Sequence, residues 1–311
     1  MAVHVLDWHQ TPPATCQGGA VSTGNFDGVH RGHAALMAEL RRQAQSVSGP
    51  AVALTFDPHP LRILRPEQFQ PPLTVLADRA EYLHAVGSDH VVVLRTTTDL
   101  LRLRAFEFFE RILRERLAVR ALVEGYNFGF GRDREGNAQL LASLCGQHGI
   151  GATILQPWLV GGTSVSTSRI RGCLTQGKVE EAAELLGRPY RLRGVVGTGQ
   201  RRGQGLGFPT ANLEQIETVV PGNGVYAVRV QVDEKSWPGA ANVGPNPTFG
   251  EETRKIEVHL IDYRGDLYGR PLAVDFLKRV RDTRPFAGVA DLVNQLTEDV
   301  REARRIAGPA A

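Results

Sequence analysis

Lysine is nearly missing from this chain. Four occur in 311 residues, at Lys178, Lys235, Lys255 and Lys278, beside 32 arginines. None precedes position 178, so the first half holds neither the G-K-[ST] lysine of a phosphate-binding P-loop nor a loop of the K-M-S-K-S kind. Cysteine is scarce as well. Cys16, Cys145 and Cys173 are odd in number and lack metal-ligand spacing, which argues against a disulfide framework and fits a reduced, cytoplasmic setting. No apolar run approaches the ~18 residues of a membrane span. The opening MAVHVLDWHQ has neither the basic start nor the apolar stretch of a secretion signal. A net charge of +3 is too small to argue for nucleic acid. Repeats, low-complexity segments and any signal of oligomeric state are missing too.

What is there reads as a soluble globular chain, 42% hydrophobic and 22% charged, long enough for two domains. Short apolar runs at 19–24, 51–56, 90–94, 120–125 and 151–156 lack polar alternation, as strands buried on both faces of a parallel sheet do. Helical patterns at 33–45 and 105–117 lie between them. This alternation predicts a doubly wound α/β domain, whose ligand sits beyond the carboxyl ends of the strands. After about residue 175 the texture changes. A short helix ends at Gly187, and glycine and proline turns then separate runs at 190–196, 208–213, 225–232, 237–243, 255–261 and 272–279. Six such runs predict a six-stranded antiparallel β-barrel. Val289, Leu292, Val293, Leu296, Val300 and Ala303 keep helical spacing and predict a C-terminal helix. The expected domains are 1–187 and 188–311.

Two stretches of the first domain suit phosphate. GNFDGVHRGH (24–33) follows a strand and opens a helix, with Asn25 near its start and His30, Gly32 and His33 at its end. Free N–H groups and the positive dipole end attract anions there, imidazoles donate hydrogen bonds, and Gly32 leaves room for a phosphate. A metal site is the alternative, with His59 as the one candidate third ligand. SVSTSRIRG (164–172) sets Ser166, Thr167 and Ser168 before Arg169 and Arg171 at a second helix start. Either stretch alone is explained by capping. Two in one α/β domain are harder to explain so.

The second domain carries GQRRGQGLGFPTANL (199–213), glycine-rich and then strand-like. Gly205 and Gly207 belong to a flap over nucleotide phosphates in this reading. Thr210 and Asn212, two apart on a strand, face the same way and offer hard oxygens suited to Mg²⁺. Glu257 alternates with Ile256 and Val258 and faces away from the apolar set. A solvated strand carboxylate is the commoner fate of such a residue.

H-x-G-H with the hydroxyl–arginine stretch resembles the nucleotidylyltransferase superfamily. The longer set narrows this: GNFDGVHRGH, TFDPHP (55–60), EGYNFGFGRDREG (124–136) and SVSTSRIR, then LGFPTANL, GVYAV (224–228), NVGPNPTFG (242–250) and IEVHLIDYRGDLYG (256–269). In this order they resemble the prokaryotic bifunctional riboflavin kinase/FAD synthetase family over essentially the whole chain. The resemblance implies that domain 188–311 phosphorylates riboflavin to FMN and domain 1–187 adenylylates FMN to FAD. ATP is the co-substrate of both, Mg²⁺ the cation, and pyrophosphate the second product of the adenylylation. It implies that His30 and His33 bind ATP phosphates and stabilise the transition state, that Arg171 holds the β- and γ-phosphates, and that Ser166, Thr167 and Ser168 add donors. The family usually reads Ser-Ser-Thr where this chain has Ser-Thr-Ser. Asn127 and Phe128 are implied in the flavin pocket, and Glu257 as the base that takes the ribityl hydroxyl proton. Two rivals stay open: another phosphate-bearing acceptor, such as nicotinate mononucleotide or phosphopantetheine, which the PTAN barrel speaks against, and a flavin-binding sensor without catalysis.

Overall fold

The computed structural model describes residues 2–198, 207–246 and 251–310. The chain divides into two compact units, 1–70 with 75–166, and 71–74 with 167–311.

The first unit is built on a six-stranded sheet: β1 (Ala2–Leu6), β2 (Ala20–Thr23), β3 (Ala51–Asp57), β4 (His90–Arg95), β5 (Ala121–Gly125) and β6 (Gly151–Leu155). The spatial order is β1-β4-β3-β2-β5-β6, and every neighbouring pair is parallel. Five strands stand where apolar runs predict them. β1 is the addition: it forms one edge, with Val3 and Val5 exposed, and its alternation breaks the apolar run that marks a central strand. Helices α1 (Arg31–Ser46), α2 (Leu76–Ala85) and α3 (Ala138–Gln147) cover the sheet. Buried clusters lie on its two faces, one around Val52, Val92, Phe109 and Leu122, the other around Met37, Leu40, Leu83 and Val123. The helix expected over 105–117 forms as one α-helical turn, Ala105–Phe108, running into a π-helical stretch, Phe109–Arg114, which buries Phe109, Ile112 and Leu113.

Strand order reverses between β2 and β5, and a crevice opens beyond the carboxyl ends of strands at such a switch point. The ladder is short there, pairing Ala20 with Ala121 and Val21 with Leu122. Further along, the Thr23 N–H donates instead to Oε1 of the buried Glu124, at 2.7 Å. Between β2 and α1 the chain turns through positive φ at Phe26 (46°), Gly28 (84°) and Val29 (39°). Left-handed backbone costs a non-glycine residue about 1–2 kcal/mol. Full burial of the Phe26 and Val29 side chains offsets that cost.

The second unit is a closed antiparallel barrel of β7 (Tyr190–Gly197), β8 (Ala211–Glu214), β9 (Gly224–Val232), β10 (Lys235–Asn246), β11 (Glu251–Leu260) and β12 (Pro271–Arg281), in the order β7-β8-β11-β10-β9-β12. β8 begins three residues later than the run at 208 suggests. Pro209 has no N–H for a ladder, and its carbonyl is hydrogen-bonded to Nδ1 of His259 at 2.8 Å. Helices α4 (Thr167–Thr175) and α5 (Val179–Leu186) group with the barrel: Gly222 N donates to Leu174 O at 2.8 Å, and Arg279 N to Glu180 Oε2 at 3.3 Å. Gly187 (φ 81°) ends α5 in the left-handed conformation that its type predicts. The C-terminal helix α6 (Val289–Ala307) is held by Asp299, 2% exposed, which accepts from Arg281 Nη2 at 2.6 Å. None of the described helices is long and apolar enough to cross a membrane.

Candidate functional site

The switch-point crevice of the first unit collects the residues of GNFDGVHRGH. His30 is the N-cap of α1. Its Nδ1 accepts from the N–H of His33 at 3.4 Å, and its ring stacks on that of His33 with centroids 3.7 Å apart and planes 14° apart. Phe26 meets His33 edge-on from beneath the turn, at 5.4 Å. Gly32 has a steric reason beyond the approach of a phosphate. A Cβ there would lie 3.1 Å from Cε1 and 3.2 Å from Nδ1 of His30, so the glycine makes room for the stacked ring. Asn25 joins the ends of two strands: its side-chain amide is hydrogen-bonded to Nε2 of His59 at 2.9 Å, and its carbonyl accepts from Arg79 at 3.0 Å. His59 thus meets Asn25, on the rim of the same turn.

Three residues of this crevice carried no signal in the sequence. Arg79, on α2, is buried and donates to the carbonyls of Asn25 and Phe56, so it clamps the loops after β2 and β3. Burial pushes its pKa down, against the opposing charges of Asp27 and Asp57. Glu124 is fully buried, and burial pushes its carboxyl well above the usual range, against hydrogen bonds from Thr23. Trp158 is 49% exposed, and its Cβ lies 3.8 Å from the place of a Gly32 Cβ, so a largely open tryptophan borders the helix start. An arginine or glutamate inside an apolar-periodic segment is the one available hint, and such residues are usually solvated.

Asn127 follows β5, exposed, with its carbonyl accepting from Arg134 at 3.2 Å. Phe128 is half-buried and stacks on Phe130 at 5.3 Å, which ties it to the core beneath. Ser166 ends the first unit, and Thr167, Ser168 and Arg171 belong to the second. Thr167 opens α4, Ser168 is exposed, and Arg171 donates to the carbonyl of Pro71 at 3.1 Å.

In the second unit, register does what sequence could not. Asn212 on β8 stands directly opposite Glu257 on β11, and Glu257 directly opposite Asn242 on β10. Cross-strand partners share a face. The result is a polar row, Asn212–Glu257–Asn242, of half-buried side chains, alternating along each strand with buried Ala211, Val258 and Ala241. Thr210 lies two residues before Asn212 and is half-buried as well. Threonine and asparagine offer hard oxygens, and the carboxylate of Glu257 stands across the ladder from Asn212, a donor chemistry that suits Mg²⁺. Gly207, at φ 85°, occupies a backbone conformation that favours glycine, while Gly205 lies outside the described residues.

A family model described as FAD synthetase matches residues 13–169, and one described as riboflavin kinase matches 186–307. A bifunctional riboflavin kinase/FMN adenylyltransferase of Pseudomonas fluorescens is 40% identical over 295 residues, 94% of either chain. Its counterpart in Escherichia coli K12 is 36% identical over 301 residues, 96% of either chain. Among solved structures, a Streptococcus pneumoniae protein named macrolide-efflux protein matches with a TM-score of 0.87 at 30% identity, covering 98% of this chain and 99% of that one. The α/β unit with its crevice and the closed barrel with its polar row therefore fall in the two matched regions, and the chain belongs to the bifunctional riboflavin kinase/FMN adenylyltransferase family.

Proposed function

We propose that this chain performs the two reactions of its family in sequence, riboflavin to FMN and FMN to FAD, each at the expense of ATP, with the module boundary at residue 187. The riboflavin kinase region begins at 186, which supports that boundary, whereas α4 and α5 group with the barrel, so the compact units part earlier, at 167. In the barrel, Glu257 takes the proton of the ribityl hydroxyl as the hydroxyl oxygen attacks the γ-phosphorus of ATP, the bond to the β–γ bridging oxygen breaks, and ADP leaves. Thr210 and Asn212 would hold Mg²⁺, which, when bound, offsets negative charge on the nucleotide phosphates. Asn242, on the other flank of Glu257, orients that carboxylate. Gly205 and Gly207 allow the backbone to approach the phosphates.

In the α/β module an FMN phosphate oxygen attacks the α-phosphorus of ATP, and pyrophosphate leaves. No covalent enzyme intermediate is needed, so rate comes from position and preorganised donors. His30 and His33 supply two imidazoles fixed by their stack and by the helix start. Asn25 and Gly32 shape the turn, Ser166, Thr167, Ser168 and Arg171 add phosphate contacts, and Asn127 and Phe128 border the flavin. A cytoplasmic setting is supported by three unpaired cysteines, two of them buried.

The observation that carries this reading is the register that sets Glu257 between two amides. Its test is Glu257→Gln in the full chain, with riboflavin, ATP and Mg²⁺ supplied and flavins separated by chromatography. General-base catalysis contributes roughly 10²–10⁴-fold, so FMN formation should fall by that factor while supplied FMN is still converted to FAD. Riboflavin phosphorylation at the unaltered rate would remove Glu257 from the role. A wild-type protein that retains both flavins unchanged would instead be a flavin-binding sensor.

A further inference from the structure

The sheet face opposite α1 carries two imidazoles among apolar neighbours. His4 pairs with Val92 and His90 with Ala2 across the parallel β1–β4 ladder, so both rings project from one face. Val92 and the partner of His90 on β3, Val52, belong to the buried cluster on that face, and so does Cys16. Cys16 is 0% exposed and ends the turn Ala14–Cys16, which covers the same face. One ring nitrogen of His4, one of His90 and the Cys16 sulfur all lie within 4.8 Å of one another. The rings stand 5.8 Å apart between centroids and tilted, too far for a stack. Nε2 of His4 and Nδ1 of His90 are buried and have no hydrogen-bond partner among the described residues. Buried polar atoms are nearly always satisfied, and here each of the two imidazoles that meet the thiol carries a nitrogen left unsatisfied among the described residues.

We propose that His4, Cys16 and His90 form a site for a thiophilic d¹⁰ cation of the Zn²⁺ or Cu⁺ class, which fastens the edge strand β1 and the Ala14–Cys16 turn to β4. Two imidazoles and a thiolate select this class over Mg²⁺, which takes oxygen ligands. With metal–nitrogen distances of about 2.0–2.1 Å and metal–sulfur of about 2.3 Å, tetrahedral ligand atoms stand about 3.4–3.6 Å apart. Contraction by up to about 1.2–1.4 Å from the present spread completes the set, within reach of side-chain rotation, and leaves a fourth position for water. Binding deprotonates the Cys16 thiol and releases that proton to solvent. His90 is the first residue of β4 and Cys16 precedes β2, so the site lies toward the amino ends of these strands. The phosphate crevice lies beyond the carboxyl ends. The cation therefore braces the sheet and does not touch nucleotide.

The full chain, freed of metal, is titrated with Co²⁺ in the absence of ATP and with Mg²⁺ present, and Zn²⁺ is then used to compete. One equivalent should bind with a near-ultraviolet thiolate-to-cobalt charge-transfer band, and Zn²⁺ should abolish it. Cys16→Ser should lose the band. Loss even of an outer-shell partner weakens metal binding about 10–100-fold, so His4→Gln and His90→Gln, each removing a direct ligand, should weaken it at least that much. These two substitutions are at half-buried positions and decide the matter if the serine variant misfolds, as far-ultraviolet circular dichroism would show. No band in the unaltered protein, a band that survives Cys16→Ser, or unchanged affinity in both histidine variants would each overturn the proposal.

Discussion

The carboxyl of Glu124 should make the first unit's stability fall with rising pH. It is fully buried at the switch point, where it accepts from the Thr23 N–H at 2.7 Å, and burial pushes its pKa well above the ordinary 4.5. The folded chain therefore keeps a proton that the unfolded chain releases. Its stabilising contribution is complete below about pH 4.5 and is lost as pH rises through the folded value. Within that window the slope is about 1.4 kcal/mol per pH unit. Glu124→Gln keeps an acceptor for Thr23 but cannot titrate, so the wild type should lose ground to it at that slope and then level off. Glu124→Ala leaves the Thr23 N–H unpaired and should cost about 1–3 kcal/mol at every pH. Urea unfolding in a Trp237→Phe background reads the first unit through Trp8 and Trp158. Parallel curves for wild type and Glu124→Gln from pH 4.5 to 8 would mean that the buried acid ionises as it does in the unfolded chain, and the reasoning would fail.

His33→Ala should slow FAD formation roughly 10²–10³-fold, as loss of a transition-state donor does, and leave FMN formation alone; equal loss of both steps would make the residue structural. Gly32→Ala gains up to about 1 kcal/mol of helix propensity but presses a methyl to 3.1 Å from the His30 ring. Thermal stability should hold while FAD formation drops about tenfold, because small misplacements of catalytic groups are expensive; unchanged FAD kinetics would show that the stack tolerates displacement. Asp299→Ala strands Arg281, which is largely buried, and should cost the second unit about 3–5 kcal/mol, seen as an earlier unfolding transition reported by Trp237.

Strands buried on both faces were legible because their apolar runs admit no other reading, and the six barrel strands because glycine and proline punctuate them. β1 was not, since an edge strand with His4 between Val3 and Val5 has no such run. α2 was not, since Asp78 and Arg79 are buried in it and disguise its apolar face. The histidine pair could be found by its place between strand and helix, but its stack, and the steric need for Gly32, depend on side-chain geometry. Arg79 and Glu124 were hidden for a physical reason: only tertiary structure tells a buried, partnered charge from a solvated one. Asn242 shows the same limit in a sheet, where its neighbour Glu257 is fifteen residues away and is fixed by register alone.

Residues 71–74 group with the second unit although more than ninety residues separate them from its next member, Thr167. Val219 N donates to the Pro72 carbonyl at 3.0 Å, and Leu73 is fully buried. During synthesis this tetrapeptide emerges long before its partners exist, so the second unit cannot be finished by its own late segment. The same order constrains genetic dissection. A fragment beginning at residue 188 lacks the tetrapeptide as well as α4 and α5, and forgoes about 1.5–3 kcal/mol for Leu73 alone. Supplying residues 71–74 as a tether ahead of 167–311 should restore that increment, so a gene for a free-standing kinase would have to be spliced rather than truncated.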